Sequence, residues 1–62
     1  MTKTTNNKPT LEELEQVELI LIEANAYGLR LEVEDCADRY QAKDTNISRL
    51  DAVIMAYSEW IK

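Results

Sequence analysis

Apolar side chains recur at helical spacing in three runs of this chain, separated by its only glycine, Gly28, and by the capping cluster Asp44-Thr45-Asn46. The first run is Leu14, Val17, Leu21 and Ala24, widened by Leu11 and Ile20. The second is Val33, Cys36, Ala37 and Tyr40, a clean i, i+3, i+4, i+7 set. The third is Ile47, Leu50, Ile54, Tyr57 and Ile61, with Val53 and Trp60 on its flank. Such punctuated periodicity predicts an all-α fold, a small three-helix domain over 10–62 with helices near 11–27, 31–43 and 46–61. The core is expected from Leu14, Val17, Leu21, Val33, Ala37, Tyr40, Leu50, Ile54 and Tyr57. Leu29-Arg30-Leu31-Glu32-Val33-Glu34 alternates like a half-buried strand, but a lone strand would lack a partner, so a short linker running into a helix is the expectation.

The helix ends have chemical signatures. Thr10-Leu11-Glu12-Glu13 fits a capping box, in which the threonine hydroxyl accepts from the Glu13 amide and the Glu13 carboxylate accepts from the Thr10 amide. Glu12, Glu13 and Glu15 also sit near the positive end of the helix dipole. Gly28 can take the left-handed conformation that stops a helix, with Leu29 folding back over the last turn. Before Thr10 the segment 1–9 is polar, ends in Pro9 and is expected to be a flexible tail. It lacks the apolar stretch of a secretory signal, and the longest apolar run, Leu19 to Ile22, is far short of a bilayer span. A cytoplasmic protein without membrane contact is expected.

Composition removes most chemistries. No histidine is present to serve as a base, one glycine cannot build a phosphate-cradling loop, and Cys36 alone forms no intrachain disulfide or ordinary zinc site. Asp44, Asn46 and Ser48 imitate the start of a calcium loop, but Arg49 stands where that loop needs glycine and Met55 where it needs glutamate. The expectation is a non-enzyme without cofactor or metal. Twelve acidic against seven basic side chains leave a formal charge of −5, which opposes direct nucleic-acid binding.

Surfaces for a partner are more promising. Glu12, Glu15 and Glu23 lie on one side of the first helix, and Glu34 and Asp38 stack on the second beside Asp35. This acidity is either a solvated face or a docking strip for a basic partner, including a decoy for a nucleic-acid-binding groove; Glu34 with Asp38 is also a conceivable metal pair. Leu19 and Ile22 point away from the first stripe towards these glutamates, and Met55 lies opposite the third. Two readings follow: the first helix is central and covered on both sides, or Leu19 and Ile22 face another chain. Trp60 beside Tyr57 either closes the core or anchors an interface. Because 62 residues bury little surface, a partner is expected, either a different protein or a second copy in a homodimer.

Two resemblances accompany this reading. With Glu23-Ala24-Asn25-Ala26-Tyr27-Gly28-Leu29 closing one helix and Ala56-Tyr57-Ser58-Glu59-Trp60-Ile61 near the end, the chain resembles the small acidic helical proteins of phage and mobile-element genomes. That resemblance implies binding and modulation of a host protein. Tyr27-Gly28-Leu29, followed by Leu50-Asp51, Ile54 and Tyr57, is similar to the small sporulation regulators that dephosphorylate a response regulator. That family's Ser-Gln-Glu-Leu-Asp signature matches only at Leu50 and Asp51 of Ile47-Ser48-Arg49-Leu50-Asp51, and the resemblance implies a catalytic role for Asp51.

Overall fold

The computed structural model describes residues 10–61; the tail expected over 1–9 lies outside them. Three helices follow one another, α1 (Leu11–Ala26), α2 (Arg30–Lys43) and α3 (Arg49–Trp60), and no strand occurs among the described residues. The capping box at Thr10 is complete: the Glu13 amide donates to Thr10 Oγ1 at 3.1 Å and the Thr10 amide to Glu13 Oε1 at 3.0 Å. At the other end of α1, Gly28 has φ 73°, the Gly28 amide donates to the Asn25 carbonyl and the Leu29 amide to the Ala24 carbonyl. Nothing lies near enough to Gly28 to clash with a Cβ, so its requirement is for the left-handed backbone itself.

The strand-like alternation belongs to a helix that begins at Arg30. Leu31 and Val33, two residues apart, cannot share a helical face, and Leu31 is exposed while Val33 is fully buried. The start of α3 is a correction to the sequence expectation of residue 46. Asp44 ends α2 and accepts the Asn46 amide through Oδ1 at 3.0 Å, forming a turn. The cap of α3 is Ser48, whose Oγ accepts from the Asp51 amide at 3.0 Å. Replacing either capping hydroxyl, Thr10→Ala or Ser48→Ala, is expected to cost about 0.5–2 kcal/mol in urea denaturation. Unchanged midpoints in both would show that the caps contribute nothing to stability.

The buried core is Val17, Leu21 and Ala24 from α1, Val33 and Ala37 from α2, and Ala52, Val53 and Ala56 from α3. Tyr40, Leu50 and Tyr57 pack against it half-buried, with Ile20, Cys36, Ile47 and Ile61. Two expected core residues are outside it: Leu14 is 47% and Ile54 45% exposed. Among the described residues none before Val17 is buried, and Leu14, within one turn of it, is left half-covered. In α3 the contact face centres on Ala52, Val53 and Ala56, which turns Ile54 outward.

Helix placement follows from side-chain contacts. Asp38 and Tyr40 project to different sides of α2, yet Asp38 accepts from Arg49 at the start of α3 and Tyr40 donates to Glu59 near its end. The third helix therefore lies across the second, and this is the most extensive helix pairing in the fold. The first helix is tied to the corner by Arg30, whose guanidinium donates to both Glu18 oxygens, at 3.3 and 3.1 Å, and lies 3.4 Å from Glu34. Tyr57 of α3 sits near the end of α1; desolvation, with Glu23 and Tyr27 nearby, raises its phenol above the usual range.

Candidate functional site

A helix in a three-helix domain has one side to bury, and α1 spends Val17, Leu21 and Ala24 on it. The opposite side carries Leu19, 66% exposed, and Ile22, 53% exposed, so among the described residues α1 is covered on one side only. Leu11 and Ala26 are exposed on that side as well. Together Leu11, Glu15, Leu19, Ile22 and Ala26 recur at spacings of four, four, three and four, which aligns them into a second seam along the helix. Glu12 and Glu23 flank it, and both are exposed, as is Glu15 within it.

Four acids outside this face are held by arginines. On α2, Asp35 pairs with Arg39 at 2.9 Å, Asp38 with Arg49 at 2.7 Å, and Glu34 with Arg30. Glu34 and Asp38, weighed as a metal pair, are thus each engaged by a different arginine. Glu18 of α1 holds the Arg30 fork. Glu12, Glu15 and Glu23 have no ion-pair partner among the described residues. Glu32 of α2 and Asp51 of α3 are likewise without an ion-pair partner among the described residues, so what sets the three α1 glutamates apart is that they share one face with the exposed apolar seam.

Trp60 lies elsewhere. It is half-exposed at the end of α3 and lines an open cleft of about 540 Å³ with Cys36, Arg39, Tyr40, Lys43 and Glu59. Arg39 pairs with Asp35 and Tyr40 with Glu59, whereas Glu32 and Lys43, also on the cleft's lining, have no ion-pair partner among the described residues. No residue of α1 lines that cleft. Met55 is exposed on α3, as expected. Asp51 is an exposed residue of the first turn of α3, where an acid suits the helix dipole and its amide is held by Ser48.

The Tyr40 hydroxyl donates to Glu59 Oε2 at 2.9 Å, and this bond, with desolvation, raises the phenol above its ordinary value of 10.0. A raised value means the folded chain holds this proton more tightly than the unfolded chain. The stabilisation is full below pH 10.0 and is lost as pH rises through the elevated value. Denaturation midpoints compared across this window should converge between wild type and Tyr40→Phe as pH rises. A constant gap would show that the Glu59 bond has no linked role.

Sequence reasoning singled out Leu19, Ile22, Glu12, Glu15, Glu23 and Trp60; the first five share one face of α1, and Trp60 stands apart at the end of α3. That reasoning missed Leu11 and Ala26 as extensions of the α1 face; the signal was the four-and-three spacing, hidden because Glu15 interrupts it. Compared with protein-family models, curated proteins and solved structures, the chain finds no match.

Proposed function

We propose that this chain is a non-enzymatic interaction module that engages another protein through the outward face of α1 and acts by modulating that protein. The observation that carries the reading is the exposure of Leu19 and Ile22 on the side of α1 opposite its core stripe. Exposed single leucines are ordinary on soluble proteins, but Leu11, Leu19, Ile22 and Ala26 are four apolar residues aligned along one face of a 16-residue helix, broken only by Glu15. The absence of histidine from the sequence, with a single cysteine and a single glycine, supports a binding role over the usual nucleophilic and nucleotide chemistries.

The test is site-specific photo-crosslinking in cells that naturally make the protein. A photoreactive side chain at position 19 or 22 is expected to give a discrete protein adduct, and one at position 42 on α2 is not. Equal adducts from all three positions, or none from any, would sink the assignment of this face.

A further inference from the structure

We infer that the occupant of the α1 seam is a basic amphipathic helix of another protein, with its apolar residues along Leu11, Leu19, Ile22 and Ala26 and its lysines or arginines against Glu12, Glu15 and Glu23. This inference rests on the reading of that face as the interaction surface. The spacing of four, four, three and four is the pattern one helix offers to another lying along it. A flat apolar or strand-like partner would not follow it.

Charge selects among helical partners. Glu15 lies within the seam, so any occupant desolvates its carboxylate, which is favourable only if a cation is supplied. The α1 helix of a second copy does not supply one, because it carries no lysine or arginine. Antiparallel pairing about Leu19 sets Glu15 opposite Glu23, and parallel pairing sets Glu15 opposite Glu15. The arginines that could have relieved this are engaged within the chain: Arg30 with Glu18 and Glu34, Arg39 with Asp35, and Arg49 with Asp38. A basic helix turns the same three glutamates from repulsion into recognition.

The experiment uses two labelled peptides of about three heptads, leucine at a and d in both, with lysine at e and g in one and glutamate in the other. Fluorescence anisotropy with the full chain is expected to show the lysine peptide binding at least about tenfold more tightly, an advantage that shrinks in high salt. The triple variant Glu12→Gln, Glu15→Gln, Glu23→Gln should weaken it by roughly tenfold, as three exposed ion pairs imply. Leu19→Lys with Ile22→Lys should remove binding, whereas Glu32→Gln with Asp51→Asn, which lowers net charge on the other helices, should change it less than about twofold. Circular dichroism of each variant separates loss of binding from loss of fold.

Equal affinity for the two peptides, or equal weakening by the remote charge pair and the α1 triple, overturns the inference. So does a wild-type chain that sediments as a dimer broken by Leu19→Lys, because a second copy then occupies the seam. If neither peptide binds while the crosslink at position 19 persists in cells, the basic-helix chemistry is overturned and the interaction role survives. Lysine-peptide binding without any adduct in cells removes the interaction role, and this inference with it.

Discussion

A chain carrying Val33→Asp is expected to be unfolded, with the helical circular dichroism spectrum and the cooperative urea transition both lost. Val33 and Val53 are the largest fully buried side chains, and Val33 is enclosed at 0% exposure. No polar or charged residue is buried among the described residues, so a carboxylate at 33 would have no partner prepared for it. Burying such a charge costs several kcal/mol even after relaxation, against a total stability of about 5–15 kcal/mol for ordinary domains and the low end of that range for one this small. Leu31→Asp is the matched control. It adds the same charge two residues away on the exposed side of α2, in the first turn, and should leave the spectrum intact. A folded Val33→Asp chain would mean that the helices are not packed around this residue.

The second large effect separates the two sides of α1. Leu21, 4% exposed, should cost about 2–5 kcal/mol when cut to alanine, because alanine keeps the helix but leaves a cavity between α1 and its neighbours. Leu19→Ala, the same substitution two positions earlier, should shift stability by no more than about 0.5 kcal/mol. Both are read by urea denaturation of otherwise identical chains. Similar losses would place Leu19 in a packed interface within the chain and remove the free face; if Leu21→Ala were silent, the core assignment of α1 would fail.

The parts of the fold that were legible in the sequence are those marked by strong local chemistry. The capping box at Thr10 and the left-handed stop at Gly28 each depend on a handful of adjacent atoms, so tertiary context has little with which to override them. The core stripe of α1 was visible in the spacing of four and three that joins Val17, Leu21 and Ala24. On α3 hydropathy misled. Ile54 and Leu50 dominate any hydropathy pattern, yet α3 lies across α2, and such an approach favours the small side chains Ala52 and Ala56. Alanine is a weak hydrophobic signal, so a face built from it does not stand out from sequence alone. The start of α3 was displaced for a related reason: Asp44, Thr45, Asn46 and Ser48 are all competent caps, and the turn closed by Asp44 leaves the role to Ser48. The candidate face was half legible. Leu19 and Ile22 stand out by being large and misplaced, whereas their solvent exposure depends on where α2 and α3 lie, which no local pattern records.

The alanine-rich core also bears on how so short a chain can order itself at all. A buried alanine has no rotamers to lose, and valine has few, whereas a buried leucine gives up about 0.5–1 kcal/mol and methionine up to about 2 kcal/mol of side-chain freedom. Of the eight core side chains, Ala24, Ala37, Ala52 and Ala56 therefore freeze nothing on folding, and Val17, Val33 and Val53 almost nothing. Leu21 is the single core residue with appreciable torsional freedom to surrender. The flexible side chains, Met55 among them, remain where water lets them keep moving. In this domain the fully buried side chains thus add little to the conformational entropy that folding must overcome.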